Sequence, residues 1–186
     1  MKKLKKMVQD FLPWNEQERK DKERILKAME EKEILTRNNE QAHFTVSAWI
    51  VSPDRKQVLM AYHNLYQSWA WLGGHADGNP NLKEVILKEI EEESGLTEVR
   101  FLTENLFSLE ILTVDGHEKR GNYVSSHLHL NLTFLLEADT GLPLRIKPDE
   151  NSRIGWIKVE EIGEKSTEKW FVDRIYSKLC EKVRIL

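Results

Sequence analysis

Apolar and polar positions along the chain form two kinds of pattern, which together predict an α/β fold. Apolar residues alternate through much of 123–137 and dominate 43–51, 57–62 and 153–159, which predicts strands. Apolar residues three and four apart predict a helix within 81–95, and a similar pattern predicts a closing helix over 165–183. Strands and helices do not repeat with a regular period. We therefore expect a mixed β-sheet between helices.

The first 40 residues differ from the rest because they are highly charged and helical in pattern. A helix is expected from Glu16 to Lys32, and Phe11, Leu12 and Trp14 are expected to anchor it. We predict an N-terminal helical arm, residues 1–40, packed on a core domain of residues 41–186. Packing is its expected role, and dimerisation or walling a substrate pocket stays open.

Composition narrows the class of protein. The 186 residues are 40% hydrophobic, which suits one domain with a sizeable core. A net charge of −3 implies no nucleic-acid partner, and the single Cys180 excludes an internal disulfide and a cysteine-based zinc site. The basic start MKKLKKM is followed by no long apolar run, so we expect no signal peptide, no membrane partner and a cytoplasmic protein.

The predicted helix within 81–95 carries acidic residues at its unfavourable end. Glu91, Glu92 and Glu93 fill the last turn before Gly95, where a helix has partial negative charge. Glu89 lies on the same side as Glu92 and Glu93, so these carboxylates repel one another. A divalent cation would remove both penalties, and oxygen ligands favour Mg²⁺ or Mn²⁺. The alternative is a solvated acidic face, which Glu91 fits.

The segment from Gly74 to Leu96 resembles the signature of the Nudix hydrolases. The positions that match in register are Gly74, Glu89, Ile90, Glu92, Glu93, Gly95 and Leu96. Pro80 stands where the family has its first Glu, and Lys88 stands where it has Arg; in the family these two positions tie the loop to the helix. Capping by Asn79, with Pro80 as the first helical residue, or by Asn81, would be a substitute.

The resemblance implies an α/β/α sandwich with a mixed sheet and a pyrophosphohydrolase activity. It implies metal-dependent attack of water on a phosphoanhydride bond in a nucleoside diphosphate derivative. Mg²⁺ or Mn²⁺ would be held by Glu89, Glu92, Glu93 and the carbonyl oxygen of Gly73. One carboxylate must also accept a proton from water, and Glu89, Glu93 and Glu150 are the candidate catalytic residues.

Histidines supply candidate substrate contacts. His127, His129 and Asn131 alternate, so they share one face of a strand. That face would line a phosphate or base pocket or touch a metal, unless it is simply solvated. His75, directly after Gly74, lies where a substrate phosphate would pass. We therefore predict His75, His127 and His129 as substrate-binding residues.

Two other functions compete with hydrolysis. One is a non-catalytic module that binds a nucleotide, although the three acids of the signature are all present. The other is an enzyme similar to isopentenyl diphosphate isomerase, whose chemistry needs a cysteine near the glycine loop, far from Cys180. The substrate stays open among nucleoside triphosphates, sugar nucleotides and dinucleoside polyphosphates. A homodimer also stays open, since members of the resembled family are often dimers.

Overall fold

In the residues that the computed structural model describes, 1–119 and 121–186, the fold consists of ten strands, six α-helices, a 3₁₀-helix at Val159–Glu161 and a π-helix at Val172–Tyr176. The strands are β1 Ala42–Val51, β2 Gln57–His63, β3 Ser68–Ala70, β4 Leu72–His75, β5 Arg100–Phe101, β6 Ser108–Val114, β7 His117–Lys119, β8 Asn122–Val124, β9 His127–Glu137 and β10 Asn151–Lys158. The helices are α1 Lys2–Asp10, α2 Glu16–Ala28, α3 Leu82–Ser94, α4 Ile162–Lys165, α5 Lys169–Phe171 and α6 Ser177–Arg184.

The chain divides into two compact units. The first contains Met1–Ser47, Gly74–Ile86 and Glu104–Phe134, and the second contains Ala48–Gly73, Leu87–Thr103 and Leu135–Leu186. Strands β1, β4 and β9 and helix α3 contribute residues to both units. Each functional feature described below lies within one unit.

In the first unit, β6 and β9 form an antiparallel ladder from Ser108–Thr133 to Val114–His127. The period-two pattern of β9 directs Leu130 and Leu132 to one face, where they are buried. Asn131 on the other face is also buried, and its side-chain oxygen accepts hydrogen bonds from the hydroxyls of Thr45 (3.0 Å) and Ser47 (2.9 Å). The polar face is therefore not solvated at Asn131.

Helix α2 is attached to β6 by buried polar contacts. The Glu18 carboxylate is fully buried and accepts hydrogen bonds from the Ser108 hydroxyl (2.7 Å) and the Trp14 backbone N–H (2.6 Å). Asn15 caps this helix, its side chain accepting from the Glu18 N–H at 2.9 Å. Of the three expected anchors, Phe11 is buried, whereas Leu12 is 86% and Trp14 43% exposed. The expectation was wrong for Leu12 because short-range apolar pattern does not show which side chain faces the sheet.

The segment between β4 and α3 is held by residues of the first unit. The Arg37 guanidinium donates two hydrogen bonds to Asp77, at 2.9 and 2.8 Å. Gly78, with φ of +90°, donates its N–H to the Leu35 carbonyl at 2.9 Å. Helix α3 starts at Leu82, so Pro80 precedes it and is not its first residue. These contacts fix the segment before the helix within the first unit.

The second unit holds strands in the order β10-β2-β1-β9-β5, with β3 paired to β2. Residues 63–79 contain two short strands, β3 and β4. The sequence pattern did not predict them, because short strands rich in Trp and Gly show no clear alternation. Trp49 is fully buried and stacks on Tyr176, ring centroids 5.5 Å apart. The closing helix is interrupted where the Ser68 hydroxyl accepts from the Thr167 N–H at 3.0 Å.

Candidate active site

Helix α3 places its acids in the second unit, and Glu93 is the most buried of them. Only 8% of the surface of Glu93 is exposed. Burial raises the pKa of Glu93 well above its ordinary value, and the negative charges of Glu89 and Glu150 raise it further, against a hydrogen bond from the Gly73 backbone. Glu93 is thus a buried acid whose ionised form lacks sufficient compensation.

Glu89 shares this environment. Burial raises its pKa, the nearby Lys147 opposes that rise, and the charges of Glu92 and Glu150 add to it. Among the described residues Glu89 forms no ion pair, in contrast to Glu92 and Glu150. Glu89 and Glu93 therefore form the part of the acidic group that is least neutralised by lysine.

Lys147 is the cation of the group, and the sequence patterns did not single it out. Its Nζ lies 3.2 Å from Glu92 Oε2 and 3.0 Å from Glu150 Oε1. Burial alone would lower the pKa of Lys147, but its contacts with Glu150 and Glu92 raise it above the ordinary value. The spacing of Lys147 and Glu150, three residues apart in KPDEN, was the one available signal.

Backbone contacts fasten the loop of Lys147 to the end of α3. Asn151 is buried and donates its side-chain N–H to the Glu93 carbonyl at 3.1 Å. Its side-chain oxygen accepts from the Lys147 N–H at 3.2 Å, and the Glu150 N–H reaches the Lys147 carbonyl at 2.9 Å. Gly95, with φ of +76°, ends the helix and returns its N–H to the Glu91 carbonyl at 2.9 Å. The acids are therefore held by a defined backbone frame.

The structure thus brings together Gly73, Glu89, Glu93 and Glu150, all predicted from sequence. Glu92 lies on the same helix but its carboxylate pairs with Lys147 and, at 3.4 Å, with Lys88. The hydrogen bond from Lys147 lowers the pKa of Glu92, which is therefore the most readily ionised of the three helix acids. The carboxylates of Glu89, Glu93 and Glu150 and the carbonyl of Gly73 supply oxygen donors beside buried negative charge. Such a set of donors fits Mg²⁺ or Mn²⁺. Glu91 faces solvent.

The predicted histidines lie in the first unit. His127 and His129 are successive residues on one face of β9, and His75 ends β4, its ring 4.9 Å from that of His129. His43 also contacts them, with its ring 5.2 Å from that of His75 and 4.9 Å from that of His127; the sequence patterns did not predict this contact. Burial, followed by the neighbouring rings of His75 and His43, lowers the pKa of His129 to about 2. His129 is therefore neutral at neutral pH, and a contact between these rings and substrate stays a prediction.

A family model for the NUDIX domain matches residues 41–179. The chain belongs to the Nudix family. It is accordingly an enzyme that acts on phosphorus-containing acid anhydrides, and Nudix hydrolases generally use divalent metal ions. No curated protein matches the chain in sequence.

Solved structures of Nudix proteins share the fold. A NUDIX-family hydrolase from Clostridium perfringens is 21% identical, with 77% of this chain and 97% of that chain covered and a TM-score of 0.51. The E. coli dihydroneopterin triphosphate pyrophosphohydrolase is 12% identical, with 73% and 95% covered and a TM-score of 0.53. The NUDIX domain of Shewanella oneidensis NrtR, solved with ADP ribose, is 14% identical, with 78% and 87% covered and a TM-score of 0.52. The predicted Nudix α/β fold with N-terminal helices is confirmed.

In the described part of the chain, no helix is both long and apolar enough to cross a membrane.

Proposed function

We propose that this Nudix enzyme is a metal-dependent hydrolase that cleaves a phosphoanhydride bond in a nucleoside diphosphate derivative by attack of water. The observation that supports this best is the pairing of Glu93, buried and raised in pKa, with the nearby acids Glu89 and Glu150. Such a group is costly to keep ionised unless a cation joins it. A dense cluster of phosphate charge on the substrate needs the same compensation.

Each acid takes a role that its environment favours. Glu92, which Lys147 and Lys88 keep ionised, and Glu93 would hold Mg²⁺ or Mn²⁺ together with the Gly73 carbonyl. The bound ion would offset phosphate charge and lower the pKa of the attacking water. Glu93 lies beside the Gly73 backbone and is therefore assigned to the ion. Glu89, which forms no ion pair in the described chain and has a raised pKa, then remains as the proton acceptor.

The reaction balances without a further reagent. The oxygen of water forms a bond to one phosphorus atom while the bridging oxygen leaves with the other phosphate. The proton of water passes to Glu89. Lys147, which holds Glu92 and Glu150, positions these acids and adds one positive charge beside them. Glu150 is the alternative proton acceptor, but its carboxylate lies 3.0 Å from Lys147 Nζ.

A panel of nucleoside diphosphate derivatives assayed with Mg²⁺ or Mn²⁺ at mildly alkaline pH tests the proposal. We expect release of a nucleoside monophosphate or phosphate that stops when a chelator is added. Glu93→Gln and Glu92→Gln should each lower turnover by at least about 100-fold. Glu91→Gln is the matched control, because it removes a neighbouring acid that faces solvent.

Two results would contradict the proposal. Equal turnover in Glu91→Gln, Glu92→Gln and Glu93→Gln would mean that the signature acids do not carry the chemistry. Nucleotide binding without turnover of any derivative in the panel would favour the non-catalytic module instead.

A further inference from the structure

Four of the six histidines in the chain converge in the first unit, although they come from three separate strands. His43 lies on β1, His75 ends β4, and His127 and His129 lie on β9. One ring nitrogen from each of His43, His75 and His129 lies within 4.8 Å of the others. The ring of His127 lies 4.9 Å from that of His43 and 5.0 Å from that of His129. The sheet therefore assembles a cluster of nitrogen donors.

His43 has a buried ring nitrogen without a hydrogen-bond partner in the described chain. Its Nδ1 lies 3.0 Å from the carbonyl oxygen of Asn39, and a carbonyl only accepts, so Nδ1 carries the ring proton. Nε2 consequently has a free lone pair. His43 is only 4% exposed, and Nε2 is buried without a hydrogen-bond partner in the part of the chain that the structure describes. Buried acceptors of this kind are rare unless an ion or water completes them.

The same argument fixes the proton on His127. Its Nδ1 lies 2.8 Å from the Ser125 carbonyl, so Nε2 is an acceptor, and this atom lies 3.2 Å from Nε2 of His129. Backbone carbonyls thus hold two imidazoles of the cluster in one tautomer and orientation. This arrangement is the usual support around histidines that ligate a metal.

The ring nitrogens lie within about 1 Å of the positions that a tetrahedral ion requires. Zinc–nitrogen bonds of about 2.0–2.1 Å place ligand nitrogens roughly 3.3 Å apart. The three nitrogens of His43, His75 and His129 reach that spacing if each side chain closes by about 1 Å. Ring packing alone would explain the stacked pair of His43 and His127, but it would leave His43 Nε2 unpaired.

The chemistry of the donors selects the class of ion. Neutral imidazole suits Zn²⁺, Co²⁺, Ni²⁺ and Cu²⁺, whereas Mg²⁺ prefers oxygen. Carbonyl contacts at Nδ1 leave Nε2 of His43 and of His127 as lone-pair donors, so a cation is a better occupant than an anion.

We propose that His43, His75 and His129 bind one transition-metal ion of the zinc type, and that His127 positions His129. Three protein ligands leave one coordination position for water or another small ligand. This site is separate in composition from the carboxylate group, and it does not depend on the proposed hydrolysis.

Titration of the full chain with either Zn²⁺ or Co²⁺, in a buffer that contains excess Mg²⁺, tests the site. We expect one equivalent to bind, and the Co²⁺ form to show visible absorption of a four-coordinate, nitrogen-rich ion. His75→Ala and His129→Ala should weaken binding by more than about 10-fold, and His129→Ala should abolish the absorption. His127→Ala should weaken binding while the absorption keeps its position.

Two controls make the result specific. His63→Ala removes a histidine of the second unit, and Glu93→Gln removes the carboxylate expected to hold Mg²⁺; both should leave Zn²⁺ affinity unchanged. His75 is half-buried at a strand end, so His75→Ala is the variant least able to disturb folding, which its circular dichroism would check. Absence of binding to the unsubstituted chain, or binding lost in Glu93→Gln and retained in His75→Ala, would overturn the proposal. Loss of hydrolysis in Glu93→Gln with Zn²⁺ affinity retained would support both proposals separately.

Discussion

Lys147 controls the balance of charge among the acids, and its removal gives the first prediction. Lys147→Met leaves Glu92 and Glu150 without their shared partner. We expect the free energy of unfolding in a chelator to fall by about 1 kcal/mol, since solvent screens these part-exposed acids. Mg²⁺ affinity should rise, because one positive charge beside the acids is lost. Urea unfolding and calorimetric titration measure the two effects.

Lys88→Met is the matched control for Lys147. Lys88 also contacts Glu92, at 3.4 Å, but its side chain is 71% exposed. Its removal should change the free energy of unfolding by less than about 0.5 kcal/mol. Equal effects of the two substitutions on the free energy of unfolding would mean that the location of Lys147 between Glu92 and Glu150 does not contribute to stability.

Glu93 links stability to pH, and the direction is opposite to that of a paired acid. Its folded pKa is raised, so its contribution to stability is present below the unfolded pKa and is lost as pH rises through the folded pKa. Glu93→Gln should therefore stabilise the metal-free protein at pH 8 while abolishing turnover. Thermal unfolding in a chelator measures the shift. A lower melting temperature for Glu93→Gln would contradict this account.

At the scale of elements, helix α3 was the part best predicted from sequence. Its apolar positions Leu82, Val85, Ile86 and Ile90 are buried, and Gly95 ends it. Periodicity carries this information because burial of one helix face depends on local spacing. Lys147 was missed because its role depends on a loop distant in sequence that folds back to Glu92. Likewise, nothing in the pattern around His43 indicates that it meets His129.

The attachment of α2 gives a prediction for the N-terminal arm. Glu18→Ala removes the acceptor of the Trp14 N–H and one of the two carboxylates that the Ser108 hydroxyl reaches, the other being Glu110. We expect a loss of about 1–2 kcal/mol in the free energy of unfolding, because the Trp14 N–H loses its acceptor while Ser108 keeps Glu110. Glu16→Ala, two residues earlier and exposed, is the control and should cost less than about 0.5 kcal/mol. Equal losses would mean that α2 is not held through Glu18.

For the whole molecule, the two groups of titratable residues act on stability in different pH ranges. The acids around Glu93 weaken the metal-free chain as pH rises, because burial disfavours their ionised forms. The histidines weaken it as pH falls, because burial disfavours protonated imidazole at His43 and His129. Burial of both groups therefore costs stability in the metal-free chain, and the cations that we propose would offset this cost. Metal-free protein should be most stable between these two limits.

The loss of stability at low pH can be tested by substituting His129. Its pKa falls from 6.5 to about 2 on folding, through burial and then the rings of His75, His43 and His127. Its contribution to stability is present above pH 6.5 and is lost as pH falls towards 2, by at most about 1.4 kcal/mol per pH unit. His129→Asn should therefore flatten the loss of stability between pH 6.5 and 4, measured by urea unfolding in a chelator. His63→Ala should leave that slope unchanged, and an unchanged slope in His129→Asn would show that His129 is not buried as a neutral ring.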